Sequence, residues 1–199
     1  MVDRQLRRRG IRDERVLTAM GAVPRELFVP DQLRDRAYRD GALPIAEGQT
    51  ISQPWIVARM AELLGLTGPE RVLEVGTGSG YGAAVLARCA SHVVSVERLD
   101  SLSQRAGEAL RAAGVRNVEL RVGDGSAGVP DRAPFDAICV TASASGGEPP
   151  PELVHQLVPG AALVCPVDRD GEEHLMVMRD GHTERIAAVR FVPLVEGDP

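Results

Sequence analysis

Between Arg71 and Val167 short apolar runs alternate with longer segments of helical period, and this alternation limits the possible folds more than any other feature of the chain. Arg71–Val75, Val93–Val96, Val118–Val122, Ala137–Val140 and Ala161–Val167 read as strands. The Ala-rich helix Tyr81–Ala90 follows the first of them. After the second, Asp100 is expected to cap a helix with Leu102, Ala106, Ala109, Leu110 and Ala113 on its inner face and Gly114 at its end. Pro151 starts a further short helix. Parallel strands need long crossover connections, usually helical, and those crossovers cover the sheet. The pattern therefore predicts an α/β fold, with a mostly parallel central sheet and helices on both faces. Leu175–Met178 and Ile186–Val192 then read as a hairpin around Asp180-Gly181, giving an antiparallel edge at the C-terminus.

The first third of the chain reads differently. Residues 13–20 form a short helix with Asp13 as cap and Val16, Leu17 and Met20 on one face, and Pro24 and Pro30 frame a connector. A better helix opens at Ser52, with Ile56, Val57, Met60, Leu63 and Leu64 at helical spacing and Gly65 as its stop. Pro54 falls in the first turn, where its missing N–H costs nothing, and Ser52 reads as the N-cap. With 199 residues there is room for one sizeable core, so residues 1–199 are read as a single domain: an N-terminal helical region, 1–66, carrying Ser52, and a core, 67–199.

Charge and cysteine usage exclude several functions. A net charge of −5 argues against a general nucleic-acid binder. Arg4, Arg7, Arg8, Arg9, Arg12 and Arg15 make the start locally basic, but Asp3, Asp13 and Glu14 interrupt the run, as on a solvated helix face. No apolar run is long enough to cross a bilayer and the start does not resemble a signal peptide, so no membrane association is expected. Cys89, Cys139 and Cys165 are far apart and the four histidines are scattered, so neither a disulfide framework nor a metal site is expected. A cytoplasmic setting fits this usage.

The segment Glu74-Val75-Gly76-Thr77-Gly78-Ser79-Gly80-Tyr81 joins the first core strand to its helix. Glycines there let the backbone approach a ligand and turn into a helix whose N-terminal N–H groups are free. Alone the turn is weak evidence, since any tight strand–helix connection has this composition. Its spacing is GxGxG after an acid, neither the dinucleotide GxGxxG nor the GK[ST] ending of a phosphate loop. An acid at Glu74 disfavours a pyrophosphate and favours a ligand carrying an ammonium and a sulfonium, which points to S-adenosylmethionine. Glu97 ends the second strand, where a carboxylate can accept both ribose hydroxyls. Asp124-Gly125 follows the third, where the carboxylate can accept from the adenine amine, although Asp-Gly is also a common turn. Three such features at successive strand ends point at one crevice.

These stretches together resemble the protein-L-isoaspartate O-methyltransferase family over nearly the whole length. Carrying the likeness are Asp13-Glu14-Arg15-Val16-Leu17, Val23-Pro24-Arg25-Glu26-Leu27-Phe28-Val29-Pro30, Gly48-Gln49-Thr50-Ile51-Ser52-Gln53-Pro54 and Val72–Tyr81. Ser95-Val96-Glu97, Gly123-Asp124-Gly125, Ala133-Pro134-Phe135-Asp136 and Val189-Arg190-Phe191-Val192-Pro193-Leu194 complete it. The resemblance implies a Rossmann-like methyltransferase sheet with an N-terminal helical extension, S-adenosylmethionine as cofactor with S-adenosylhomocysteine as product, and no metal. It implies Ser52 as the active-site serine, with Thr50, Ile51, Glu74, Gly76, Thr77, Gly78, Gly80, Glu97, Arg98, Asp124 and Gly125 around the cofactor. Ser52, Gln53, Phe191, Val192 and Pro193 would meet the substrate, an isoaspartyl residue in a damaged protein or peptide, and the enzyme is expected to be a monomer. Two positions depart from the family pattern: Trp55 replaces a smaller aromatic or His, and the loop 142–150 is longer and richer in glycine.

An isoaspartyl α-carboxylate has a pKa near about 3.5 and is ionised at neutral pH, so no strong general base is needed. The lack of a Ser–His or His–Asp constellation agrees with that chemistry. The nearest alternative keeps the fold and changes the substrate to a small-molecule acid or an aspartate in a specialised peptide. A nicotinamide dehydrogenase is disfavoured by Glu74 and the glycine spacing, and a non-catalytic adaptor by the intact acidic and glycine positions.

Overall fold

The computed structural model of the chain describes residues 1–197. Helix α1 (Glu14–Ala22) begins where the Asp13 carboxylate accepts from the N–H groups of Arg15 and Val16, as the capping residue predicts. The arginines ahead of it are spent locally: Arg7 pairs with Asp3 and Glu14, and Arg9 with Asp40. Two short strands, β1 (Leu43–Pro44) and β2 (Thr50–Ile51), form an antiparallel ribbon that leads into α2 (Pro54–Leu64). Gly65 closes α2 in the left-handed region at φ 68°.

Ser52 is not the cap of α2. Pro54 takes the first helical position and forces the residue before it into an extended conformation, so Gln53 (ψ 138°) is the N-cap, with no side-chain capping bond. Ser52 lies one residue outside the helix. The cap expected at Asp100 shifts in the same way: Leu99 is the N-cap of that helix and Asp100 is already helical.

The core follows with β3 (Arg71–Val75), α3 (Tyr81–Cys89), β4 (His92–Glu97), α4 (Asp100–Ala112), β5 (Val118–Val122), β6 (Phe135–Val140) and the four-residue α5 (Pro151–Val154). The strands β7 (Leu157–Arg169), β8 (Glu172–Arg179) and β9 (His182–Ala188) complete the sheet. Its order is β5-β4-β3-β6-β7-β8-β9, parallel through β7 and antiparallel beyond it. Alternate residues of each central strand point to opposite faces. Val72, Val93, Ala137 and Val164 join the core shared with α1, α2 and α3. Leu73, Val94, Ile138 and Leu163 join a second core with Val129, Phe135 and Leu153, covered by α5 and short helical turns. The three cysteines are buried and unpaired.

The chain turns at Asp180-Gly181 (φ 48° and 74°), as the sequence predicts, and also at Asp170-Gly171 (φ 56° and 85°), which makes β8 antiparallel to β7 as well. β9 begins earlier than its apolar residues suggest, because Thr183, Glu184 and Arg185 are exposed, as suits an edge strand. It ends at Ala188, so Phe191, Val192 and Pro193 lie beyond it, on a segment that runs back over the sheet. The N–H of Ser143 donates to Val192, and that of Leu194 to Ser143.

Strand order reverses between β3 and β6, which leads to β4 and β5 on one side and β7 on the other. In parallel sheets ligands bind in the crevice at such a reversal, beyond the carboxyl ends of the strands. The features marked in the sequence converge there.

Candidate active site

One cleft opens over the carboxyl ends of β3, β4 and β6. It is walled by the glycine turn 76–80, the residues after β4, the ribbon residues Thr50–Ser52 with one face of α2, and the returning segment Val192–Val195. Apolar atoms dominate the wall, with Val57, Met60 and Ala61 contributed by α2 and Leu86 by α3.

The glycine turn is shaped by contacts that leave no room for side chains. The Gly76 N–H donates to Val96 at 2.8 Å, and a Cβ at Gly76 would collide with the Thr141 hydroxyl, on a backbone already at φ 93°. Thr141 follows β6 and donates from its Oγ1 to the Gly76 carbonyl at 2.6 Å. Gly80, at φ 85°, is the N-cap of α3, again with no side-chain cap. The first N–H groups of α3 therefore face the cleft side without intrahelical partners.

Two carboxylates stand on this wall. Glu97 accepts from the Gly78 N–H at 2.9 Å and from the Leu99 N–H at 3.1 Å, which ties the end of β4 to the glycine turn and leaves lone pairs for further donors. Glu74 is 1% exposed and is reached by a relay: the Thr77 hydroxyl donates to Ser95, and Ser95 donates to Glu74, both at 2.6 Å. Burial pushes the Glu74 carboxyl up to about 8; the Ser95 bond opposes this and the nearby Glu97 adds to it. Gly82, the second residue of α3, makes the space for that side chain, since a Cβ there would collide with Oε1.

On the opposite side, β2 presents Thr50 and Ile51, and Ser52 follows them. Ser52 lines the cleft; its carbonyl accepts from Arg25, while its hydroxyl has no hydrogen-bond partner among the described residues. The sequence-derived residues Thr50, Ile51, Ser52, Glu74, Gly76, Thr77, Gly78, Glu97, Arg98, Gly125, Val192 and Pro193 all meet on this one cleft. Four others stand off it. Gln53 donates to Asp40, Gly80 lies behind the turn against Ala106, and the Phe191 N–H donates to Glu173. The Asp124 carboxylate accepts from the Ser126 N–H and hydroxyl and from the Gly197 N–H. Burial would raise the Asp124 pKa, and these bonds outweigh it and hold the carboxyl below its ordinary range.

Sequence reasoning missed Thr141, which follows β6 and lines the cleft, although its place at a strand end was the available signal; of the loop 142–150, expected to border the cleft, Ala142 lines it. It also missed Leu194 and Val195. Trp55 does not line the cleft; its indole N–H donates to the Arg9 carbonyl and the Arg9 guanidinium lies 4.4 Å from its ring centroid. Among the described residues there is no group of three or more His, Cys, Asp or Glu able to hold a metal ion, and no helix long and apolar enough to cross a membrane.

The donor set fits S-adenosylmethionine. Two acids suit a ligand with cationic ammonium and sulfonium groups, and the glycines at 76, 82 and 125 let Thr141, Glu74 and Val75 pack tightly into the wall beneath it. Fold and site thus define a Rossmann-like, S-adenosylmethionine-dependent methyltransferase. A sequence model of the protein-L-isoaspartate(D-aspartate) O-methyltransferase family matches residues 1–198, and the chain belongs to that family. It is 54% identical to the protein-L-isoaspartate O-methyltransferase of Halorhodospira halophila over 94% of this chain and 87% of that one. A solved protein-L-isoaspartate O-methyltransferase superposes with a TM-score of 0.83 at 29% identity, covering 96% of this chain and 64% of the other. A Plasmodium falciparum protein-L-isoaspartate O-methyltransferase, solved with S-adenosyl-L-homocysteine, gives 0.80 at 26% identity and covers 96% and 95%.

Proposed function

We infer that this chain transfers a methyl group from S-adenosylmethionine to the free α-carboxylate of L-isoaspartyl residues in damaged proteins and peptides. The observation that carries this assignment is Ser52, which lines the same cleft as the glycine turn and its two acids and whose hydroxyl is unpartnered among the described residues. When bound, S-adenosylmethionine supplies an electrophilic methyl group on a sulfonium, and S-adenosylhomocysteine remains.

Thr50, Ile51, Gly76, Thr77, Gly78, Arg98 and Gly125 would hold the cofactor, with Glu97 taking its ribose hydroxyls and Glu74 facing its cationic end. Gly80 shapes the turn. Asp124 would receive the adenine amine after exchanging its bond to the Gly197 N–H, which comes from outside its own turn. Ser52 orients the substrate carboxylate by donating from its hydroxyl. It is not a covalent nucleophile, since no base stands beside it. Val192 and Pro193 lie along the substrate, with Phe191 and Gln53 anchoring the segments that carry these contacts. The substrate carboxylate is already ionised, so the protein's task is alignment and exclusion of water, which can contribute roughly 7–11 kcal/mol of barrier reduction. The apolar wall from α2 and the returning segment serve that task.

Methylation turns the free α-carboxylate into an ester; the backbone nitrogen of the following residue then attacks that ester carbonyl and expels methanol, closing a succinimide whose hydrolysis returns some normal aspartate. We place the enzyme in the cytoplasm, acting as a monomer on protein substrates and not on nucleic acid or membranes; the net charge of −5 and the buried, unpaired thiols support that setting. Chromatography of an isoaspartyl peptide held with enzyme and cofactor tests the whole sequence. Aspartyl peptide should accumulate after the methyl ester, and ester that never yields succinimide or aspartate would contradict a repair role.

A further inference from the structure

Arg25 is 0% exposed, and no carboxylate among the described residues pairs with it. Its Nε donates to the Ala37 carbonyl at 2.8 Å and one terminal nitrogen to the Ser52 carbonyl at 2.7 Å. The guanidinium lies over the Tyr81 ring, 4.6 Å from its centroid. Tyr81 is itself wedged against Phe28 and donates to the Met20 sulfur, so the stack is fixed. The other terminal nitrogen, Nη1, is buried with no hydrogen-bond partner. A buried cation without an acid is costly to keep, and a ring face and two carbonyls repay that cost in part.

Of the three groups Arg25 touches, Ser52 and Tyr81 line the cleft. The uncompensated charge therefore stands one side chain behind the wall, held to the Ser52 carbonyl and stacked on Tyr81 at the start of α3, and neither Glu74 nor Glu97 pairs with it. The two acids on the wall suit the cationic cofactor, while behind Ser52 stands a cation that lacks an anion. We propose that Arg25 is a positioning residue that fixes Ser52 through its carbonyl and draws the anionic group of the substrate to Ser52. This rests on the assignment of Ser52 to the substrate carboxylate, and adds the charge that selects a carboxylate there over a neutral group.

Arg25→Met and Arg25→Lys test it, measured against an isoaspartyl peptide and a twin whose free carboxylate is a carboxamide. In Arg25→Met the KM for the isoaspartyl peptide should rise about tenfold or more, with the preference for carboxylate over carboxamide lost in peptide binding. The Kd for S-adenosylhomocysteine by calorimetry should stay near that of the parent. Arg25→Lys keeps a cation without the fork, and should restore the carboxylate preference with an intermediate KM. A Met variant that keeps the preference, or a Lys variant no better than Met, overturns the proposal. A fall in Tm and S-adenosylhomocysteine affinity in step with the loss of turnover overturns it too, since that marks a purely structural role. Should Arg25→Met fail to fold, Arg25→Lys decides, because a folded Lys variant without carboxylate preference is incompatible with a role for the charge. Absence of transfer by the parent enzyme itself would instead remove the assigned function.

Discussion

Glu74 occupies the next-to-last position of β3 and is enclosed by Ser95, Gly82 and the edge of Cys139. With its carboxyl pushed up to about 8 by burial, it is mostly protonated at neutral pH in the ligand-free protein. Its unfolded counterpart titrates near 4.5, so folding takes up a proton between these values and stability falls as pH rises through the window. Glu74→Gln should flatten that slope, worth roughly 3–5 kcal/mol across the window, when urea unfolding is compared at about pH 5 and about pH 8.5. A cationic ligand placed beside Glu74 favours its charged form. Cofactor binding near pH 7 should therefore release a proton, seen calorimetrically as a binding enthalpy that varies with the buffer and becomes invariant in Glu74→Gln. Ser52→Ala should lower kcat roughly 10–100-fold while leaving S-adenosylhomocysteine affinity unchanged. Equal kcat in that variant would remove the serine from substrate alignment. Gly76→Ala sets a side chain against Thr141 on a left-handed backbone, so a loss of stability above about 1 kcal/mol and a weakened cofactor site are expected by denaturation and calorimetry.

At the scale of elements, helix ends show what local sequence can and cannot reveal. Asp13 caps α1 by two N–H bonds, and Asp13→Ala should cost about 1 kcal/mol in thermal unfolding. The same logic fails at Ser52 and Asp100, because a proline at the first helical position in one case and an early helical start in the other move the cap by one residue. The central strands β3, β4 and β6 were legible because they are buried on both faces and read as mostly apolar runs, and the half-exposed edge strand β5 because it alternates apolar and polar residues. β9 was partly hidden because its exposed first half carries Thr183, Glu184 and Arg185, and a sheet edge gives polar residues no reason to alternate with apolar ones. The turn at Asp170-Gly171 carried the same dipeptide signal as Asp180-Gly181, yet the long apolar run before it drew the strand boundary short.

For the whole molecule, the order β5-β4-β3-β6-β7-β8-β9 depends on packing between distant segments, and no local pattern states it. What the sequence did carry was position: an acid or glycine at the ends of β3, β4 and β5 marks the carboxyl edge of a parallel sheet, and the fold gathers those marks around one cleft. The residues that escaped notice, Thr141, Val195 and the buried Arg25, owe their importance to what lies across the cleft from them or behind its wall. Gly76 and Thr141 are far apart in the chain and each fits because of the other. The most direct measurement of the assigned function is transfer of labelled methyl from S-adenosylmethionine to a matched pair of peptides, one isoaspartyl and one aspartyl. Base-labile label on the isoaspartyl peptide alone is expected. Label on neither peptide with cofactor binding intact, or equal label on both, would contradict it.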